Sequence, residues 1–161
     1  MVRLFKHYIP YAVLFLGLLD IILLFAAADF AWTIRAHQIG MSVDPVSTRL
    51  IPLVSFALSL QMAMISVGVY SAEALQSLKF AAARLLVAIS LGVILLSVTY
   101  FMLPGTTLWR SNSLYAMILS FAMLMGMRIA LQSLFGGESF KRRVLILGAG
   151  QRALRISKLA E

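Results

Sequence analysis

The amino-acid sequence predicts an all-α membrane protein: a four-helix transmembrane bundle over residues 1–140, followed over residues 141–161 by the first β-α unit of a Rossmann-like domain. Of the 161 residues, 61% are hydrophobic and only 12% are charged, whereas soluble domains carry about 25% charged residues. The chain also contains four apolar runs, which cover residues 10–32, 51–71, 85–103 and 114–135. Each run approaches the roughly 20 residues that a helix needs to cross a bilayer.

Residues that break helices separate the four runs. Only a helix satisfies its own backbone hydrogen bonds within an isolated lipid-embedded run, so each run is predicted to be helical. Pro45 and Pro52 are expected to flank the start of the second run, and Pro104 and Gly105 follow the third. The pair Ser111-Asn112 is expected to cap the fourth run, and Gly136-Gly137 is expected to end it.

The first run has a rival interpretation as a cleaved signal peptide. Arg3 and Lys6 precede it, and residues 26–28 are three alanines that could form a cleavage site. Its length and the presence of Asp20 favour an uncleaved membrane anchor instead.

The distribution of Lys and Arg predicts the orientation, because cytoplasmic loops carry an excess of these residues. With both termini cytoplasmic, eleven basic residues lie inside and three lie outside. The inside set is Arg3, Lys6, Lys79, Arg84, Arg128, Lys141, Arg142, Arg143, Arg152, Arg155 and Lys158, and the outside set is Arg35, Arg49 and Arg110. This distribution of basic residues accounts for the net charge of +8, so the charge gives no reason to expect nucleic-acid binding. The predicted location is the bacterial inner membrane, as a multi-pass protein with the lipid bilayer as its main partner.

Two charged residues fall within apolar runs, where each costs on the order of 2.5–3.5 kcal/mol at the bilayer centre. Asp20 lies in the first run and Arg128 in the cytoplasmic half of the fourth, and opposite charges at comparable depth can pair. The alternatives are that Arg128 extends to the interface while Asp20 is protonated, or that the two form a polar site that serves a substrate. Gln61 is expected to make a hydrogen bond between helices.

Other residues exclude some classes of site. The chain has no cysteine, and its two histidines are far apart, so no metal site is expected. Ala122, Gly126 and Ala130 have the small-residue spacing that allows close helix–helix contact, including contact within a homo-oligomer.

A strand, a glycine turn and a helix are predicted after the basic group at residues 141–143. Residues 144–147 form a short apolar run typical of a buried parallel strand. Gly148, Gly150 and Ala153 fit the G-x-G-x-x-A pattern, in which the glycines allow a tight turn and a close approach to a pyrophosphate. These three are the candidate cofactor-binding residues. The sequence leaves open whether the turn binds a nucleotide or serves packing only, and the cofactor is unknown.

The order of these parts resembles the polytopic bacterial sugar transferases that initiate exopolysaccharide synthesis, specifically the branch associated with PEP-CTERM export systems. The opening at residues 2–10 and the junction at residues 143–150 carry the resemblance. The resemblance implies transfer of a sugar phosphate from a nucleotide sugar to undecaprenyl phosphate. It also implies that the catalytic carboxylates lie in a C-terminal domain absent from these residues. No catalytic residue is therefore assigned, and the chain alone is expected to be inactive.

Two alternatives remain open. Membrane-bound nucleotide-sugar dehydratases also place four helices before a Rossmann-type domain. A chain of this kind could also be a non-catalytic assembly module of a polysaccharide export complex.

Overall fold

The computed structural model describes residues 2–4, 7–9, 11–43, 45–71, 74, 77–106, 108 and 110–135. Four long helices make up most of this part of the chain: α1 (Tyr11–Gln38), α2 (Val46–Val67), α3 (Leu78–Met102) and α4 (Arg110–Phe135). A 3-10 turn, Pro104–Thr106, lies between α3 and α4. All four helices are long and apolar enough to cross a membrane. The prediction of four long apolar helices is confirmed, and they are compatible with a multi-pass membrane protein.

A small hairpin precedes α1. Strand β1 (Val2–Leu4) pairs antiparallel with strand β2 (His7–Ile9), with Val2 opposite Ile9. No pattern in the sequence predicts this hairpin. The strand–turn–helix unit predicted for residues 141–161 lies outside the described residues, as do its candidate site residues Gly148, Gly150 and Ala153.

The helices extend beyond the apolar runs at several ends. A hydropathy pattern marks the segment that suits hydrocarbon, whereas a helix continues until its backbone hydrogen bonds are interrupted. Helix α1 therefore runs past Trp32, and α2 begins at Val46 with Pro45 as its N-cap. Pro52 consequently lies inside α2, so its predicted place before the helix is wrong. The predicted capping of α4 by Ser111-Asn112 is also wrong, because α4 begins one residue earlier.

Helix α2 ends at a glycine that takes a left-handed backbone conformation. Gly68 has φ of 74°, and its N–H donates to the carbonyl oxygen of Ile65 at 3.1 Å. The next N–H, that of Val69, donates to the Met64 carbonyl oxygen at 3.0 Å. Glycine adopts this conformation without steric cost, so it commonly ends helices. The turn directs the chain toward Tyr70 and the start of α3.

The four helices form an antiparallel bundle. Helix α1 packs most extensively against α4 and also against α2, α2 packs against α3, and the contact between α3 and α4 is slighter. We call the end where α1 begins and α4 finishes the terminal end; the α2–α3 connection lies there too. We call the opposite end, which carries the α1–α2 and α3–α4 connections, the loop end.

Two seams hold the bundle together. On α4 every fourth residue is buried, namely Asn112, Ala116, Ser120, Leu124 and Arg128. Small residues of α1, including Ala27, Ala28 and Ala31, are also fully buried. Between α2 and α3, Gly92 lies so close to Leu60 that a Cβ there would overlap Leu60 Cδ1.

Large apolar side chains cover the outward faces, among them Phe15, Ile94, Phe101 and Ile118. Exposed apolar area on this scale suits a lipid environment.

Candidate functional site

Four polar side chains from different parts of the chain meet near the terminal end of the bundle. The Tyr70 hydroxyl donates to Asp20 Oδ2 at 2.8 Å, and Arg128 Nη2 donates to the same oxygen at 3.0 Å. Gln61 Nε2 donates to the Tyr70 hydroxyl at 2.9 Å and to the Gly17 carbonyl oxygen at 3.4 Å. We call Asp20, Gln61, Tyr70 and Arg128 the inner polar cluster. Asp20 Oδ2 joins α1 to the α2–α3 connection and to α4, and Gln61 links α2 to this group through the Tyr70 hydroxyl and the Gly17 carbonyl oxygen.

The inner polar cluster is buried. Asp20 has 0% of its surface exposed, Arg128 has 6% and Gln61 has 7%. At about 1.5 Å per residue, Asp20 lies roughly 14 Å from the start of α1 and Arg128 roughly 10 Å from the end of α4. Water is scarce at such depths, so each charge depends on the other for stabilisation.

The tyrosine acts as a donor in this cluster. Tyr70 follows the spanning helix α2, and burial raises the pKa of its phenol above the ordinary value. The charge of Asp20 and the hydrogen bond to it raise the pKa of Tyr70 further. Tyr70 therefore keeps its proton and donates a hydrogen bond to the carboxylate. The Arg128 guanidinium carbon also lies 5.8 Å from the centroid of the Tyr70 ring, within the range of a cation–π contact.

A second arginine holds the segment that carries Tyr70. Arg84 Nη1 donates to the Gly68 carbonyl oxygen at 2.7 Å and also to Ser71 Oγ. The residues on both sides of Tyr70 are thus attached to α3, Gly68 through its backbone and Ser71 through its hydroxyl group. This attachment fixes where the Tyr70 hydroxyl can reach.

The inner polar cluster keeps unused hydrogen-bonding capacity. Asp20 Oδ1, Gln61 Oε1, and Nε and Nη1 of Arg128 are buried and have no partner within the described part of the chain. These atoms offer two acceptors and two donor groups around one ion pair. The hydrogen bonds of the cluster therefore fix the helices relative to one another, and these four atoms take no part in that contact.

A separate ion pair lies toward the loop end. Arg49 Nη2 is 3.1 Å from Asp29 Oδ1, and the Arg49 guanidinium carbon is 6.0 Å from the centroid of the Trp32 ring. The Arg49 side chain is 5% exposed. Its assignment to an outer loop is therefore wrong: α2 begins at Val46, which places Arg49 in the first turn of the helix and against α1.

The structure brings Asp20 and Arg128 together, and it places Gln61 across the α1–α2 interface. The sequence analysis missed Tyr70 and Arg84, because a tyrosine and an arginine at a membrane boundary are common and carry no distinctive spacing. In the described residues, no group of three potential metal ligands is present. Comparisons with protein-family models, with curated proteins and with solved structures find no match to this chain.

Proposed function

We propose that this chain is the membrane-anchoring region of a bacterial sugar transferase that initiates exopolysaccharide synthesis. The reaction would move a sugar phosphate from a nucleotide sugar to undecaprenyl phosphate, with the catalytic carboxylates in residues that follow this chain. In this proposal the chain lies in the inner membrane with both ends in the cytoplasm. The bundle then presents the module that begins near Lys141 to substrates on that side.

The observation that carries the anchoring role is the set of four antiparallel helices, each long and apolar enough to cross a membrane. Four crossings return the chain to the side from which it starts, so whatever follows Phe135 emerges beside the start of α1. The excess of basic residues at that end supports the cytoplasmic assignment. The transferase assignment is supported by the resemblance at residues 2–10 and 143–150.

The inner polar cluster has a clear use in such an anchor. Arg128 lies two turns before the end of α4, and its ion pair with Asp20 fixes the rotation and height of α4 relative to α1. A soluble module attached after α4 would then be held at a defined distance from the membrane surface.

The test is a transfer assay on membranes. Membranes that carry the complete gene product receive a radiolabelled nucleotide sugar and undecaprenyl phosphate. The expected product is a lipid-soluble sugar phosphate, and membranes with residues 1–161 alone should form none. A keto-sugar nucleotide as product would replace the transferase with a dehydratase. Co-purification with export proteins and no turnover would favour an assembly module.

A further inference from the structure

A partly open recess lies at the loop end of the bundle, away from the inner polar cluster. It encloses a volume of about 40 Å³ and opens to the surface where α1 ends and α4 begins. Its lining residues are Trp32, Arg35, Ala36, Ile39, Met41, Ser42 and Asn112. One aromatic ring, one guanidinium, one amide and several apolar groups thus face a single space.

Two lining residues carry buried polar atoms with unused hydrogen-bonding capacity. Asn112 is 2% exposed, and its Oδ1 has no partner among the residues that the structure describes. Arg35 Nε is also buried and has no partner among these residues. Arg35 Nη1, by contrast, donates to Gln38 Oε1 at 3.2 Å. A ligand that satisfies both atoms must accept a hydrogen bond from Arg35 and donate one to Asn112. A fully deprotonated anion could do only the first, whereas a hydrogen phosphate, which carries a hydroxyl group, could do both.

The recess is electropositive. Among the residues that the structure describes, its lining contains the Arg35 guanidinium and no carboxylate. The nearby carboxylate of Asp29 is engaged by Arg49 at 3.1 Å. The first turn of α4 has no acidic residue, so the partial positive charge of that helix N-terminus is not offset locally. The recess therefore favours a group that carries negative charge.

The position of the recess indicates that the negatively charged group belongs to a membrane lipid. The candidate spans Val13–Gln38 and Ser111–Ser133 end and begin at this level, so a membrane crossing by these two helices would bring the recess to the lipid head groups. Trp32 suits this boundary, since tryptophan is enriched at membrane interfaces. Ile39 and Met41 provide apolar contacts for the carbon atoms beside a phosphate.

We propose that this recess binds the head group of a phospholipid that carries both a phosphate and a hydrogen-bond donor. The phosphate accepts from Arg35 Nε, and a hydroxyl or ammonium group of the same head group donates to Asn112 Oδ1. Phosphatidylglycerol and phosphatidylethanolamine have both features. Phosphatidylcholine has the phosphate but no donor.

The experiment measures lipid retention and thermal unfolding of the whole chain in nanodiscs made of each of the three lipids. Wild-type protein should retain phosphatidylglycerol and phosphatidylethanolamine at least about fivefold more strongly than phosphatidylcholine, since charge-assisted hydrogen bonds are the stronger kind. Arg35→Gln should lose retention of all three. Asn112→Leu should retain the three equally. The control is Lys79→Gln, which removes the same charge from an exposed site at the terminal end and should behave as wild type.

Three results would overturn the proposal. Equal losses in Arg35→Gln and Lys79→Gln would show unspecific attraction, and unchanged lipid preference in Asn112→Leu would remove the donor requirement. Stabilisation by inorganic phosphate in a phosphatidylcholine disc, equal to that by phosphatidylglycerol, would assign the recess to a soluble anion. If Asn112→Leu does not fold, Asn112→Ser provides the same comparison, because its shorter side chain withdraws the acceptor.

Discussion

At the scale of single residues, the ion pair of Asp20 and Arg128 is the main polar feature of the bundle core. Both charges are buried, and they meet through one carboxylate oxygen at 3.0 Å. Burying such a pair is itself expensive, so the pair contributes less to stability than its short distance suggests. Removing only one partner has a much larger effect, because the other charge stays in an apolar medium without compensation.

We therefore expect Arg128→Met alone to lower the free energy of unfolding by about 3–5 kcal/mol. The double variant Asp20→Leu with Arg128→Met should lie much closer to wild type, because no buried charge is left. Unfolding by a denaturing detergent, followed by circular dichroism, measures all three proteins. Equal losses in the single and the double variant would show that the pair is not coupled and that each side chain acts by packing alone.

The sequence predicts part of this cluster for a physical reason. A carboxylate and a guanidinium within apolar runs stand out because lipid makes each of them costly, so Asp20 and Arg128 can be selected without a structure. Tyr70 cannot be selected in this way. Its hydrogen bond to Asp20 joins residues 50 positions apart, and it depends on the turn at Gly68 and on the contact with Arg84. The sequence does not predict the burial of Arg49, because α2 begins at Val46, before the apolar run that starts at residue 51.

At the scale of helices, the interface of α2 and α3 depends on the absence of a side chain at Gly92. A Cβ at this position would overlap Leu60 Cδ1 and would lie 3.3 Å from Leu60 Cγ and 3.8 Å from the Ala63 Cβ. By contrast, a Cβ at Gly126 meets nothing within 4 Å in the described part of the chain. Both glycines lie within helices, but only Gly92 faces side chains of a neighbouring helix in the described part of the chain.

This difference gives a matched pair of variants. Gly92→Val should destabilise the bundle by about 1–3 kcal/mol, because added atoms in a packed interface force neighbours to move. Gly126→Val, on the open face of α4, should change the free energy of unfolding far less. Thermal unfolding in one detergent compares the two. A similar loss in both would trace the effect to helix propensity and not to the α2–α3 contact.

The existence of each helix could be predicted from the sequence, whereas its neighbours could not. Length and hydropathy require a helix in lipid whatever it packs against. The choice of neighbouring helices depends on complementary shape, as between Gly92 and Leu60. The spacing of apolar residues in the two runs does not reveal this complementarity. The helices also extend beyond the apolar runs of the sequence, because polar residues such as those after Trp32 continue a helix beyond its hydrocarbon-spanning segment.

At the scale of the whole molecule, the orientation in the membrane is testable because the chain contains no cysteine. Single cysteines can be placed by Val43→Cys at the loop end and Lys79→Cys at the terminal end, both at exposed positions. With cytoplasmic termini, a membrane-impermeant maleimide should label the first variant in intact cells. It should label the second only after lysis, because the inner membrane blocks its access. The opposite pattern would reverse the proposed orientation, and labelling of both in intact cells would contradict a membrane-embedded chain.

The contact between α1 and α4 also determines the position of α4 along the axis of α1. The buried face of α4 has Asn112 near one end, Arg128 near the other, and Ala116, Ser120 and Leu124 between them. If α4 slid by one turn, the guanidinium would move about 5.4 Å and lose its carboxylate, since the residues one turn away on α1 are Leu16 and Leu24. Small residues alone would tolerate such sliding. The charged pair therefore permits a single alignment of α1 and α4.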